Sequence, residues 1–356
     1  WSRGLLCGCI LLLPWVRSES LAISLPAAVY LWKAESSAQG RKWLAASLLT
    51  SLLGLAVFSI VLRAHGLGWL PSSVLLKQGF MRTGVLVKLV DVFVQLTENL
   101  EKLRVLVVLI AAVALTPSVR RGAPRLVGLL LASSALLLPL GRVSGRYEIH
   151  YVAFAMLLIA ALVLPVFRSF TERVRVWPLV IVLLLVQPEL WMQTLRTPIA
   201  ARCVYEQHFQ MGSIVRDFLK QPVAVNDLGL VSWLGEQKVL DLWGLGSHQT
   251  LMARTSDPSG RWMEASVREH GVQYVFIYPQ WLPHVPDAWV HVGRLSLLTP
   301  RTAVAFENVE LFATSPDAAR QLASVLAAYR STSELAWKSV SVFLRPAQGD
   351  AATSHR

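Results

Sequence analysis

Two stretches in the second half of the chain carry residue types that could do chemistry: VNDLG (Val225 to Gly229) and LDLWGLGS (Leu240 to Ser247). In each, an aspartate closes a short apolar run. Asp227 and Asp241 therefore sit where strands end, the place where open α/β sheets put ligand-contacting residues. Asn and Asp also cap helices and close turns, while Gly244 and Gly246 relieve backbone strain, and this structural reading is the stronger of the two. No GxGxxG dinucleotide fingerprint, GxxxxGKS/T phosphate loop or HExxH is present. His208, His248, His270, His284 and His291 are scattered without ligand spacing, and Cys7, Cys9 and Cys203 build neither a disulfide framework nor a metal constellation. No metal and no organic cofactor is expected.

The elements that must position these residues form a small α/β domain over residues 200–346, followed by a tail at 347–356. A helix with Met211, Ile214, Val215 and Phe218 on one face leads to a strand at Pro222 to Val225, a short helix within Asn226 to Leu234, and a strand at Lys238 to Leu242. A helix over Arg261 to His270 feeds the strand Val272 to Tyr278. Such spacing predicts a parallel unit with right-handed crossovers. Trp289 to Leu298 and Thr302 to Phe312 read as a hairpin edge. Ser315-Pro316-Asp317 starts a helix running to about Arg330, and Val340 to Leu344 reads as a last strand.

The rest of the chain has a different solvent. The 356 residues are 54% hydrophobic and only 16% charged, with a mean hydropathy of +0.49, against about 25% charged in soluble domains. Up to residue 193 there are 19 Lys+Arg against 8 Asp+Glu; after it, 15 against 14. The formal +12 thus belongs to the apolar half, where basic residues flank membrane spans, and no nucleic-acid partner is implied. The sequence therefore predicts a polytopic α-helical membrane protein followed by a small outer α/β domain.

Residues 1–193 contain apolar runs at Gly4 to Val16, Leu21 to Trp32, Trp43 to Leu62, Val105 to Leu115, Leu126 to Leu140, Val152 to Phe167 and Trp177 to Gln187. These give about seven spans, several shorter than the about 20 residues a crossing needs, and the chain reads as truncated at its N-terminus. Gly4 to Gly8 fits GxxxG and reads as ordinary helix packing. Lys33, Arg41 and Lys42, then Arg120, Arg121 and Arg125, then Arg168, Arg173 and Arg175 fall in every second loop, which the positive-inside rule assigns to the cytoplasm. The other loops and the C-terminal domain then lie outside, in the periplasm of a bacterial inner membrane. Spans without mid-membrane ionisable residues argue against a transporter and move chemistry to the outer interface. In the long outer loop, Leu86, Leu89, Phe93, Leu96 and Leu100 oppose Lys88, Asp91, Gln95, Glu98 and Lys102, predicting an amphipathic helix near 83–103 that lies on the outer leaflet or packs on the tail domain.

Three outer segments together resemble multi-spanning type C (GT-C fold) glycosyltransferases that use polyprenyl-phosphate sugars, including bacterial mannosyl- and arabinosyltransferase-like membrane proteins. They are GLLCGCILLLPWVRSES (Gly4 to Ser20), GLGWLPSSVLLKQG (Gly66 to Gly79) and GRYEIHY (Gly145 to Tyr151), with Ser18 and His150 standing where that family often has proline. YEQHFQMG (Tyr205 to Gly212), VNDLG and LDLWGLGS look like the outer C-terminal domain of such proteins. The resemblance implies transfer of a sugar from a lipid carrier to an envelope glycan, lipid or protein acceptor. Such a donor must be gripped at the outer interface by cations, because its phosphate is the leaving group, and a carboxylate must deprotonate the acceptor. Arg17, Lys77 and Arg146 are the candidate grip, with Glu19 as a positioning group and Tyr147 and Tyr151 beside the prenyl chain or sugar. Each also has a plain structural reading: an interfacial arginine with belt tyrosines for Arg146, a solvated loop lysine for Lys77, and a turn pair with Glu19 for Arg17. The family's base lies after the first span and is expected upstream of Trp1. The competing class is a noncatalytic membrane protein that presents an outer α/β module for binding or assembly.

Overall fold

The computed structural model describes residues 3–16, 18–72, 74–75, 85–140, 149–163, 165, 188–282 and 284–344. The chain divides into two compact units, residues 1–193 and 194–356. The first is mostly helical, and the second is a mixed β-sheet and helix domain.

The first unit contains α1 (Arg3–Val16), α2 (Leu21–Ala34), α3 (Ala38–Ala64), α4 (Val85–Lys102), α5 (Arg104–Leu115), α6 (Pro117–Gly122), α7 (Pro124–Leu140) and α8 (Ile149–Val163). A single 3₁₀ turn, Ser18–Ser20, links α1 to α2. The Ser37 hydroxyl accepts the Gly40 N–H at 3.0 Å and starts α3, while Arg63 stands in its last turn against the negative end of the helix dipole. Among the described residues, α3 is the helix long and apolar enough to cross a membrane; the other apolar helices are shorter. Leu49, Leu53, Val57, Phe58, Ile60 and Val61 of α3 are exposed, whereas its Leu44 and Ser51 are buried. A full burial of such a side chain is worth roughly 1.5–3 kcal/mol, so water is a poor surrounding for this surface. Trp177 to Gln187 lies outside the described residues.

Leu103, Leu106, Ile110, Leu130, Ala155 and Ile159 form the principal core of the bundle, where α5, α7 and α8 meet. The C-terminal half of α4 packs on α7, and its buried Asn99 donates to the Leu138 carbonyl at 2.8 Å. Leu86, Leu89, Val90 and Phe93 face outward. The amphipathic helix thus turns one polar flank inward and its apolar face away from the bundle.

In the second unit, α9 (Pro188–Leu195) crosses the boundary and leads to α10, a continuous helix over residues 197–219. It begins as Thr197–Val204 and includes two wide π-type stretches, Tyr205–Phe209 and Ile214–Leu219. It ends at Lys220, which takes a left-handed φ of 51°. Then follow β1 (Val223–Val225), α11 (Gly229–Leu234), β2 (Val239–Asp241), α12 (His248–Ser256), α13 (Arg261–Glu269), β3 (Tyr274–Ile277), β4 (Val290–Ser296), β5 (Asn308–Ala313), α14 (Pro316–Arg330), α15 (Glu334–Ser339) and β6 (Val340–Val342). The strand order is β2-β1-β3-β5-β4-β6. β2, β1 and β3 are parallel, and the rest of the sheet is antiparallel.

Alternate residues of β1 and β3 go to opposite faces, as the two-residue period requires. Val223, Val225, Tyr274 and Phe276 pack with Met211, Ile214, Leu322 and Leu326 on one side. Ala224, Val275 and Ile277 pack with Met263, Val267 and Trp289 on the other. The Ser315 hydroxyl accepts the Ala318 N–H at 3.2 Å, and Pro316 opens α14, the start that the serine-proline-aspartate run predicts.

Three details differ from the sequence reading. The Thr302 to Phe312 strand is confined to Asn308–Ala313, because residues 302–307 turn before pairing begins. The hairpin is not the sheet edge, since β6 pairs with β4. Helices α12 and α15 were not expected; each is short and started by a serine cap, Ser247 on Thr250 and Ser333 on Ala336.

Candidate functional site at the carboxyl ends of the parallel strands

The chain passes from β1 to β2 on one side and then crosses to β3 on the other, so the winding reverses between β1 and β3. Doubly wound sheets take their ligands in the crevice beyond the strand ends at such a reversal.

Asn226, just after β1, spans this gap. Its amide donates to the Tyr278 carbonyl at 2.9 Å, and its oxygen accepts the Tyr278 N–H at 3.1 Å. The buried side chain thereby continues the β1–β3 ladder and fixes Tyr278 just beyond β3. The Tyr278 hydroxyl donates to Gln207 Oε1 at 2.6 Å and lies 3.3 Å from His208 Nε2. His208 Nε2 is also 3.6 Å from Asp227 Oδ2, with the two side chains 13% and 25% exposed. The pair is therefore reachable from solvent, while its tyrosine support is not.

Local backbone choices set this geometry. Gln207 and His208 lie on the first π-type stretch of α10, a distortion that often accompanies function because it redirects side chains. Gly229 has a φ of +27°, and a Cβ there would come within 2.9 Å of His208 Nδ1, so the glycine admits the imidazole. Burial, and then the Asp227 charge, push the Tyr278 phenol well above its ordinary pKa. It remains a neutral hydrogen-bonding group.

Asp241 does something else. Its carboxylate accepts N–H groups from Trp243 and Gly244 at 2.8 and 2.9 Å through Oδ1, and from Gly246 and Ser247 at 2.7 and 3.1 Å through Oδ2. It is a turn-closing residue, the structural reading of LDLWGLGS. The turn carries Trp243, which stacks on Trp281 with ring centroids 4.7 Å apart, and Trp281 meets Tyr278 edge-on at 5.5 Å. The Arg254 guanidinium lies 3.7 Å from the Trp243 ring centroid; burial lowers its pKa, with the Asp241 charge acting the other way.

Beneath this cluster, Glu206 is only 1% exposed. Its Oε1 accepts from Arg202 Nε and the Thr299 hydroxyl, both at 2.7 Å, and its Oε2 from the Leu298 and Thr299 N–H groups at 3.0 and 2.8 Å. Burial alone would raise its pKa, but these four bonds hold it below the ordinary carboxylate value.

Of the residues expected to grip a lipid-linked donor, Arg17, Lys77, Arg146 and Tyr147 lie outside the described residues. Glu19 sits in the 3₁₀ turn between α1 and α2. Tyr151 is buried in the bundle, with its hydroxyl 2.6 Å from Ser134 Oγ. In the second unit, Asp227 was visible from sequence, whereas Gln207, His208 and Tyr278 were not. YEQHFQMG and VNDLG, separated in sequence, meet at the crevice, and that meeting is the signal a single sequence hides. Among the described residues, no group of three or more His, Cys, Asp or Glu could hold a metal ion.

Residues 195–323 match the model of a family described as a domain of unknown function (DUF8728). The matched segment contains β1 to β5 together with Gln207, His208, Asn226, Asp227 and Tyr278. No curated protein and no solved structure matches the chain.

Proposed function

We propose that the chain is the C-terminal portion of an integral-membrane glycosyltransferase. It moves a sugar from a polyprenyl-phosphate donor to an acceptor on the outer face of a bacterial cytoplasmic membrane, with the α/β domain outside. The observation that carries the membrane part is α3, 27 residues long with its apolar flanks exposed. The basic residues in alternate loops support about seven crossings, and the three outer segments resembling type C glycosyltransferases support the transfer. In this reading Arg17, Lys77 and Arg146 neutralise the departing lipid phosphate, Glu19 positions the substrate, and Tyr147 and Tyr151 border the prenyl chain or sugar.

The test is sugar transfer from a polyprenyl-phosphate donor by the complete protein in membranes. Arg146→Ala and Lys77→Ala should each lower transfer at least about tenfold, the value of one charge-assisted phosphate contact, with membrane insertion intact. Unchanged transfer in both variants refutes the grip.

One observation favours a second reading, a noncatalytic membrane protein that presents a binding module: the solvent-reachable His208–Asp227 pair lies beyond the strand ends where the winding of the second unit reverses. Residues 194–356 expressed alone and capturing a partner with the affinity of the whole chain would favour it. A requirement for the lipid-linked donor would count against it.

A further inference from the structure

Helices α2, α3 and α7 enclose an open groove of about 610 Å³. Pro26, Leu48, Leu129, Ala132 and Leu136 give it an apolar wall, and Gly128 and Ala132, four residues apart on α7, leave room along it. Val29 borders it at 56% exposure, so the groove is open to its surroundings and not a closed void. Lys33, in the last turn of α2, and Arg125, the second residue of α7, border the same groove with Tyr30. No carboxylate lines it, and neither cation has a hydrogen bond or ion pair among the described residues.

We infer that this groove is a binding site for an anionic glycerophospholipid, whose phosphate is held between Lys33 and Arg125 and whose acyl chain lies along α2 and α7. The chemistry is complementary at both ends. Two cations at the edge of an apolar wall have no charge partner among the described residues, and a phosphodiester supplies one. From Arg125 to Leu136 α7 rises about 16 Å, and from Lys33 to Leu25 α2 covers about 12 Å, which matches the about 15 Å depth of one leaflet's hydrocarbon. Lys33 and Arg125 also belong to two of the basic loops that the charge pattern puts on the cytoplasmic side, where anionic lipid heads attract them. The site is thus separate from the outer residues assigned to the donor. It rests on the membrane part of the reading above and not on sugar transfer.

The test is lipid retention by the full chain, delipidated in detergent, titrated separately with phosphatidylglycerol, phosphatidylcholine and a polyprenyl phosphate, and read by native mass spectrometry. Phosphatidylglycerol should be retained most tightly. Lys33→Ala and Arg125→Ala should each weaken it about fivefold and the double variant about thirtyfold. Ala132→Leu, which fills the wall without changing charge, should also weaken it, whereas Lys102→Ala on α4 should leave it unchanged. Equal retention of phosphatidylcholine, or an unaffected double variant, overturns the inference. Tighter retention of the polyprenyl phosphate also overturns it, by assigning the groove to a different lipid. A chain that stays in the aqueous phase without detergent fails the membrane reading itself, while an integral chain without lipid preference fails this inference alone.

Discussion

Replacing Glu206 with glutamine tests the polar anchor beneath the crevice. The carboxylate accepts four hydrogen bonds, two at each oxygen, and an amide can keep only the two at its remaining oxygen. Turned so that this oxygen keeps the Leu298 and Thr299 N–H groups, the amide presents its NH2 group to Arg202 Nε, donor against donor, while the Thr299 hydroxyl can turn and accept from it. The charge-assisted Arg202 bond, about 1.5–3 kcal/mol, is lost and the other three weaken without the carboxylate's charge, offset in part because a charge no longer has to be buried, leaving a cost of about 2 kcal/mol. For a domain of this size that lowers Tm by roughly 4–8 °C. The pH dependence has a definite sign. The folded pKa of Glu206 is depressed below the ordinary 4.5, so its contribution is complete above that value and is lost as pH falls through the folded pKa. The gap between wild type and Glu206→Gln should therefore be full at pH 7 and narrow below about pH 4.5. Thermal unfolding of residues 194–356, a compact unit with its own core on both sheet faces, measures the gap. Hydrogen exchange at Leu298 and Thr299 in the full chain reports the anchor directly. A gap that is absent at pH 7, or that does not narrow in acid, refutes the assignment.

Two other substitutions probe the same end of the sheet. Tyr278→Phe leaves the Gln207 oxygen without its donor and should destabilise the second unit by about 1–2 kcal/mol in chemical denaturation; an unchanged midpoint would show that the hydroxyl bond contributes nothing. Gly244→Ala places a Cβ 2.7 Å from the Leu251 backbone at a φ of +83°, so neither a rotamer change nor a side-chain shift relieves it. A loss of about 3 kcal/mol or more, with faster hydrogen exchange through α12, is expected, and a neutral alanine would contradict the turn geometry.

The strands of the second unit were legible because each is a β-branched or aromatic run bounded by turn residues. Val223–Val225, Tyr274–Ile277 and Val290–Ser296 fall inside the ranges the sequence marks. Helix α14 was legible from its serine cap and proline. Helix α12 was not, because its nine residues have almost no apolar stripe and follow a glycine-rich turn that looks like loop. Asp227 and Asp241 illustrate the limit at the site. Both are aspartates at strand ends, yet one is consumed by four amides of its own turn and the other meets an imidazole from α10. Which fate applies depends on a partner that local pattern does not specify. Tyr278 is harder still, since its position is set by Asn226, 52 residues earlier in the chain.

The first unit hides its geometry for a different reason. Its helices are apolar nearly all round, so the sequence marks where they run without saying which side faces out. Large apolar side chains such as Phe58, Leu89 and Phe93 are outside, while Ser24, Ser51, Ser133 and Asn99 are buried, as are Leu103, Leu106 and Ile110 of the apolar core. Large apolar groups on the outside lose stability in water because that surface stays hydrated. In hydrocarbon the outward surface costs nothing, and small residues let helix backbones approach closely. The second unit packs Tyr274, Phe276, Met211 and Leu326 inside and keeps a solvent-reachable Asp–His pair at its edge. On the membrane reading proposed above, the two halves obey one rule in two solvents, and the charge balance changes near residue 193, where the first unit ends.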